Sequence, residues 1–349
     1  MSKAQMMKAS VRHAYGPREV LHVEEVKRPA PRDDELLVRI HAASVNLGDW
    51  ELLTAKPLYI TILANIFGPK PRNRPVSPDN DDTTTRRKLL APKYKVLGTD
   101  FAGLVEAVGK DVTRYQAGDE VFGQVTFGAF SEYACVSEDA DLALKPATMS
   151  FEIAAATPEA SFIALTALRD KADLRAGQTV LINGAGGGAG SCAVRLAKHY
   201  GAEVTGVDNT EKLDFMRSIG ADHVIDFTAE DFTQNGERYD VILDLAAYRS
   251  VFQSRRSLKP GGIYLMAGGS GKTFAQSLLF GPLLSRAGQS KIAFLMANSS
   301  SDKLALMAEL FEAGTIIPTI DRSYPLTQAG AAIQRLGEKQ SLGKVIVTP

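Results

Sequence analysis

The stretch that decides the fold runs from Thr179 to Ser191 and reads Thr-Val-Leu-Ile-Asn-Gly-Ala-Gly-Gly-Gly-Ala-Gly-Ser. An apolar strand leads into a run of glycines, and a helix follows at once. Glycines let the backbone turn tightly around an anion, and the helix start supplies free N–H groups and a positive dipole end. The motif is weak alone and is supported by its place between strand and helix; the alternative is a merely flexible loop. We predict that a nucleotide pyrophosphate binds along Gly184, Ala185, Gly186, Gly187, Gly188, Ala189 and Gly190.

Strands and helices alternate on both sides of this loop. Apolar strands at Glu203–Val207 and Asp240–Leu243 alternate with amphipathic segments such as Ser191–Tyr200 and Glu211–Ile219. This alternation is typical of a parallel sheet covered by helices on both faces. The sequence therefore predicts an α/β fold with a doubly wound parallel sheet.

The first 145 residues have a different pattern, with short strands separated by turns. Strands are predicted at Leu36–Ala42, Gly103–Gly109 and Gly118–Gly123, a spacing that suggests a small barrel or sandwich. A chain of 349 residues is expected to form two domains. The tail resumes as helix from Asp302 and ends in the strand Lys344–Val347, which can return to complete the first domain.

One segment, Gly68 to Pro92, is rich in proline and in charges of both signs. Such a composition buries too little apolar surface to pack by itself, so we predict a mobile surface insertion. Both a passive loop and a substrate lid are compatible with it.

Composition narrows the class of protein. Formal net charge is +0, with 45% hydrophobic and 23% charged residues, which gives no indication of nucleic-acid or anionic-membrane binding. There is no apolar run of about 18 residues and no secretory signal, so we expect a cytoplasmic protein without a membrane span. The two cysteines, Cys135 and Cys192, exclude a disulfide framework and a four-thiolate zinc site.

The acid after the second strand bears on the choice of nucleotide. Asp208 lies about 20 residues beyond the loop, where a carboxylate binds ribose hydroxyls; its alternative role is a helix N-terminal carboxylate. An acid there repels a 2′-phosphate and favours NAD(H), whereas Lys212, one turn later, offsets that repulsion. We predict that both residues bind the cofactor, and the choice between NAD(H) and NADP(H) stays open.

A second glycine-rich stretch, Gly268–Thr273, ends in Gly-Lys-Thr as a phosphate-binding P-loop does. That motif requires glycine five places before Gly271, where this chain has Met266. The stretch also follows the last strand of the predicted sheet rather than the first, so we do not assign a P-loop. Gly268 is retained as a predicted cofactor contact.

Five segments together resemble the medium-chain dehydrogenase/reductase superfamily, in particular its zinc-free quinone oxidoreductase-like branch. They are Ser44–Trp50, Leu97–Gly103, Gly118–Phe122, Gly184–Gly190 and Gly220–Asp222. Each is modest alone, and their order and spacing make the resemblance specific.

The resemblance implies chemistry without zinc. Zinc alcohol dehydrogenases of this superfamily carry a cysteine in the segment similar to Ser44–Trp50 and Gly-His-Glu in that similar to Gly98–Asp100. This chain has Asn46 and Gly98-Thr99-Asp100 instead, and no two of its five histidines stand at ligand spacing on one helix. The expected activity is metal-independent hydride transfer from NAD(P)H to a quinone, enone or other small-molecule carbonyl compound.

The resemblance also implies the architecture. A GroES-like barrel domain would comprise 1–148 and 299–349, and a Rossmann NAD(P)-binding domain 149–298, with the cofactor in the cleft between them. Asn46 would stand near the nicotinamide, and Thr166 matches a threonine that contacts the cofactor in this branch. By the same analogy we expect a homodimer.

Catalysis without a metal needs a donor for the developing oxyanion. Asn46 can donate through its amide, and Asp49 can orient it or pass a proton through water; the alternative for both is ordinary loop hydrogen bonding. Thr99 is a weaker third candidate.

Two rival functions remain at this point. One is an S-adenosylmethionine-dependent methyltransferase, suggested by Leu258–Gly262, and the other is a catalytically silent NAD(P)-binding protein.

Overall fold

The computed structural model describes residues 5–57, 61–62, 65, 92–287 and 290–349. The predicted insertion from Gly68 lies outside the described residues except for Pro92. The strands are β1 (Met6–Arg12), β2 (Leu21–Lys27), β3 (Glu35–Val45), β4 (Asp100–Val108), β5 (Glu120–Gln124), β6 (Tyr133–Ser137), β7 (Leu142–Leu144), β8 (Thr179–Asn183), β9 (Glu203–Asp208), β10 (His223–Asp226), β11 (Tyr239–Asp244), β12 (Leu258–Met266), β13 (Lys291–Phe294), β14 (Ile320–Pro325) and β15 (Lys344–Thr348).

The helices are α1 (Leu47–Thr54), α2 (Phe151–Ala156), α3 (Pro158–Leu165), α4 (Gly188–His199), α5 (Leu213–Ser218), α6 (Val251–Ser254), α7 (Gly271–Ala287), α8 (Ser301–Glu312) and α9 (Ala329–Gly337). A π-helical segment, Thr166–Lys171, continues α3. In the parts of the chain that the structure covers, no helix is both long and apolar enough to cross a membrane.

The chain divides into two compact units, Met1–Pro158 with Ile320–Pro349, and Glu159–Thr319. The predicted domain bounds of 1–148 with 299–349 and 149–298 differ from these and stay a prediction. Helix α2 contacts β3 and β4 of the first unit. Met307 and Ile316 belong to a core cluster of the second unit.

The first unit is built on a seven-stranded sheet in which the C-terminal tail pairs with the N-terminal strands. The strand order is β14-β15-β3-β4-β5-β7, and β6 pairs with β3. Strand β15 runs antiparallel to β3, with Val345 opposite Val45. The predicted return of the tail to the first domain is therefore present, and it brings Lys344 to the end of β3.

The second unit is a six-stranded parallel sheet with the order β10-β9-β8-β11-β12-β13. This is the strand order of a doubly wound dinucleotide-binding sheet. Strands β8 to β10 are added toward one side of the sheet and β11 to β13 toward the other, so the switch point lies between β8 and β11. Alternate residues of β8 enter separate core clusters, Val180 and Ile182 in one and Leu181 in the other. Both faces of the sheet are covered, and the predicted doubly wound fold is confirmed.

Two local predictions need correction. The helix after the glycine loop begins at Gly188 rather than Ser191, because the last glycines already adopt helical geometry. The turn predicted at Lys259–Gly262 lies inside β12. It interrupts the pairing with β11, because Leu258 is opposite Tyr239 and the next paired residue, Ile263, is opposite Val241.

Candidate functional site

The glycine loop of the second unit is a tight turn held by β9. Gly184 has a φ of +87°, and its N–H and that of Ala185 both donate to the carbonyl of Val207, at 2.9 and 3.2 Å. Gly187 caps α4, and the first N–H groups of a helix have no partner within it. The loop therefore places the N-terminus of α4, with the N–H groups of its first turn, at the carboxyl edge of the sheet.

Close approach between loop and helix depends on Gly190. A Cβ atom at this residue would lie 2.1 Å from the carbonyl oxygen of Gly184 and 2.7 Å from the Cα of Ala185. At Gly187 the nearest such contact is 3.5 Å. The glycines thus have different roles, since Gly190 is required by packing, whereas a Cβ at Gly187 would make only an ordinary van der Waals contact.

Asp208 and Lys212 both lie against the glycine loop. Asp208 accepts hydrogen bonds from the backbone N–H of Gly186 and of Asn209, each at 3.0 Å. Lys212 Nζ lies 3.6 Å from the Asp208 carboxylate, and a Cβ at Gly186 would lie 2.6 Å from the Lys212 side chain. Both are at least nine-tenths buried, so the acid and the base share one place beside the loop.

A buried carboxylate that sequence reasoning missed supports the loop from the neighbouring strand. Asp244, at the end of β11, accepts hydrogen bonds from Asn183 Nδ2 at 2.8 Å and from the Tyr264 hydroxyl at 2.9 Å. Burial raises the pKa of Asp244 to about 6, against these stabilising hydrogen bonds. The sequence feature that could have indicated it is a single acidic residue at the end of the apolar strand, just before Leu245. The predicted contact Gly268 packs on this segment, since a Cβ there would lie 2.6 Å from the carbonyl oxygen of Leu245.

Thr166 is buried at the start of the π-helical segment. Its hydroxyl accepts hydrogen bonds from Lys303 Nζ at 2.7 Å and from the backbone N–H of Asn298 at 3.1 Å. Lys303 also pairs with Asp170 at 2.8 Å. The structure thus joins the predicted Thr166 to a buried lysine of α8 that sequence reasoning did not single out.

In the first unit, Asn46 immediately precedes α1 and is 5% exposed. Its Nδ2 donates to Thr99 Oγ1 at 3.0 Å, and its Oδ1 accepts from Lys344 Nζ. The two sequence segments that carry Asn46 and Thr99 therefore meet in the first unit. Lys344 is 298 residues away in sequence and was not a candidate.

Asp49 is a buried carboxylate whose two oxygens are both engaged by backbone. Oδ2 accepts from the N–H of Asn46 at 2.9 Å and Oδ1 from the N–H of Gly98 at 2.8 Å. Burial raises the pKa of Asp49 to about 6, with Asp100 adding to the rise and Lys344 opposing it. The carboxylate ties the start of α1 to the turn before β4, which positions Asn46.

Among the residues that the structure describes, no group of three or more histidine, cysteine, aspartate or glutamate side chains could hold a metal ion.

Comparison with known proteins gives the family. Residues 32–147 match the alcohol dehydrogenase GroES-like domain, and residues 219–347 match the zinc-binding dehydrogenase model. The chain is 30% identical to the 2-methylene-furan-3-one reductase of Solanum lycopersicum, over 98% of this chain and 79% of that protein. It is also 30% identical to the chloroplastic NADPH-dependent alkenal/one oxidoreductase of Arabidopsis thaliana, over 98% of this chain and 80% of the relative.

A solved structure agrees. The quinone oxidoreductase from Coxiella burnetii superposes with a TM-score of 0.82 at 25% identity, covering 99% of this chain and all of that one. The chain belongs to the quinone oxidoreductase-like branch of the medium-chain dehydrogenase/reductase superfamily, as the sequence motifs predicted, with a GroES-like and a Rossmann domain. It is therefore an oxidoreductase.

Proposed function

We propose that this protein is a metal-independent reductase that uses NADPH to reduce enones and quinones. The observation that carries the proposal is the match over nearly the whole chain to two reductases whose names both refer to unsaturated carbonyl compounds. The relatives give no support to the alternative of a methyltransferase.

The second unit has the features that a dinucleotide requires. The loop from Gly184 to Gly190 would hold the pyrophosphate, because its glycines permit close approach and the N-terminus of α4 lies at the carboxyl edge of the sheet. Asp208 and Lys212 would bind the adenosine ribose, and Thr166 and Gly268 are proposed further contacts. When bound, the reduced nicotinamide supplies the hydride.

Lys212 supports NADPH over NADH. Its ammonium lies beside Asp208, so the carboxylate is already paired and its repulsion of a 2′-phosphate is reduced. Arrival of a phosphate would give this lysine a second anionic partner, in a site that is already largely desolvated.

Asn46 is the proposed hydrogen-bond donor to the substrate oxygen. Its amide orientation is fixed by Lys344 and Thr99, which satisfies the requirement that such a donor be preorganised. Asp49 is the positioning residue, because both its oxygens are occupied by backbone N–H groups.

A homodimer in the cytoplasm is proposed as well. Strand β13 is the last strand of its sheet, and the helix α7 that packs on it exposes Leu278, Leu279 and Leu283 by 61%, 65% and 60%. An open sheet edge beside an exposed apolar stripe favours association with a second copy.

The test begins with binding. Purified protein is titrated with NADPH and with NADH while nicotinamide fluorescence is followed, and turnover is then measured on enones, quinones and aldehydes. Micromolar NADPH binding with enone or quinone reduction is the expected result. Binding without turnover on any substrate would indicate the silent binding protein, and absence of binding to either nucleotide would overturn the proposal.

A further inference from the structure

Four polar side chains of the first unit, Asn46 among them, form a closed ring of polar contacts. Lys344 Nζ donates to Asn46 Oδ1, Asn46 Nδ2 donates to Thr99 Oγ1 at 3.0 Å, and the Thr99 hydroxyl donates to Asp100 Oδ1 at 3.5 Å. The ring closes where Asp100 Oδ2 lies 3.5 Å from Lys344 Nζ. Lys344, Asn46 and Asp100 are all buried.

The two charged members determine the direction of every hydrogen bond in the ring. An ammonium can only donate and a carboxylate can only accept. Thr99 must therefore donate to Asp100 and accept from the amide, and Asn46 must turn its oxygen toward Lys344. A flipped amide would place Nδ2 against the ammonium, two donors in contact.

The ring is anchored by the sheet. Asp100 is the first residue of β4 and also accepts from Ser44 Oγ at 3.2 Å and from Gln124 Nε2 at 2.7 Å. Lys344 is the first residue of β15, which pairs with β3 just before Asn46. The backbone of both charged residues is therefore held by pairing with adjacent strands.

We propose that Lys344 is a positioning residue for hydride transfer, which acts through the Oδ1 atom of Asn46. The ammonium fixes the amide orientation and draws electron density toward Oδ1, which makes the Nδ2–H a stronger donor to the substrate oxygen. The proposal rests on the reductase function proposed above and assigns a role to a residue outside the sequence motifs.

The experiment compares Lys344→Met with Lys145→Met. Lys145 is a matched control, because its side chain is 4% exposed, against 5% for Lys344, and it lies in the same unit on Glu120 and the carbonyls of Pro146 and Met149. Lys344→Met is expected to lower kcat by roughly 10- to 100-fold while the Kd for NADPH changes less than about threefold. Lys145→Met is expected to keep the wild-type kcat.

A purely structural role is separated by a double-mutant cycle with Asn46→Ala. If Lys344 acts through Asn46, Lys344→Met should lower kcat by less than about twofold in the Asn46→Ala background. Equal losses in both backgrounds, or a wild-type kcat in folded Lys344→Met, would overturn the proposal. If Lys344→Met does not fold, Thr99→Val breaks the ring at a half-buried residue, and its loss of kcat must likewise disappear in Asn46→Ala.

Thermal unfolding tests the contact between Lys344 and Asn46 even if the protein has no reductase activity. If the wild-type protein reduces no substrate, the cycle is read from thermal unfolding of the four proteins, which needs no activity. Non-additive changes in the free energy of unfolding would show that Lys344 and Asn46 are coupled, and additive changes would remove the positioning role.

Discussion

The backbone N–H of Gly186 donates a hydrogen bond of 3.0 Å to Oδ2 of Asp208, which ties the end of β9 to the middle of the glycine loop. The carboxylate is thereby engaged with the loop, and its other oxygen faces Lys212 at 3.6 Å. We therefore expect nucleotide preference to depend on the balance of these two opposite charges rather than on either residue alone.

Replacement of Lys212 should therefore separate the two nucleotides. Lys212→Met keeps most of the stem that covers Gly186 and removes the charge, so NADPH affinity is expected to fall roughly 10- to 100-fold, the value of a charge-assisted hydrogen bond. NADH affinity should change less than about threefold. Fluorescence titration of both nucleotides measures the difference.

Lys259→Met is the control for that titration. Lys259 pairs with Asp240 at 3.0 Å, at the start of β11 and hence at the opposite edge of the same sheet. Both affinities should be unchanged in this variant. Equal losses for NADPH and NADH in Lys212→Met would contradict the assignment of Lys212 to the 2′-phosphate.

Two alanine substitutions in the glycine loop should separate a glycine needed for packing from one that faces the ligand. Gly190→Ala is expected to destabilise the protein by at least about 2 kcal/mol, because its Cβ would overlap the carbonyl of Gly184. Gly187→Ala should cost about 1 kcal/mol or less, because the nearest atom is 3.5 Å away and its φ of −85° suits alanine, which leaves only the poorer N-cap.

Differential scanning fluorimetry with and without NADPH measures both effects. We expect Gly187→Ala to lose part of the NADPH-dependent rise in Tm, since a methyl group would occupy space facing the pyrophosphate. If Gly190→Ala were as stable as the wild type, the close approach of loop and helix would be wrong.

Asp244 should give an unusual pH dependence of stability. Burial raises its pKa from 3.8 to about 6, so the folded protein binds a proton more tightly than the unfolded chain does. Its contribution to stability is therefore fully present below pH 3.8 and is lost as pH rises through 6, up to about 3 kcal/mol. The contribution of Asp49 to stability should fall with rising pH in the same way, because burial also raises its pKa to about 6.

Asp244→Asn removes this titration. The stability of Asp244→Asn relative to the wild type should rise between pH 4 and pH 7, because only the wild type loses stability as this carboxyl ionises. Urea denaturation at each pH measures the two free energies of unfolding. Asp214→Asn is the control, because that side chain is 99% exposed and should leave the pH profile unchanged. A difference between Asp244→Asn and the wild type that stays constant with pH would contradict the raised pKa.

The exposed stripe of α7 should determine the oligomeric state. Leu279→Glu places a charge in the proposed interface and is expected to convert a dimer to a monomer, as measured by analytical ultracentrifugation. Leu144→Glu serves as the control, since Leu144 is similarly exposed, by 59%, in the other unit. A monomeric wild type, or a Leu279→Glu variant that stays dimeric, would refute this interface.

Much of the second unit follows from local chemistry in the sequence. The alternation of apolar strands with helices and the glycines of the loop act over a few residues, where backbone sterics decide the conformation. The position of Asp208 at the end of the second strand also followed from the sequence, whereas its hydrogen bond to Gly186 was seen only in the structure.

The polar network of the first unit depends on tertiary structure. Lys344 begins an apolar strand and carries no motif, and its contact with Asn46 spans 298 residues. Asp244 meets Tyr264 and Lys303 meets Thr166 in the same manner, across strands or helices brought together only by folding. Sequence alone determined the fold class, the family and the loop, since these depend on local backbone preference and ordered motifs. Only the tertiary structure decided which buried charges face one another, because that depends on how distant strands pair.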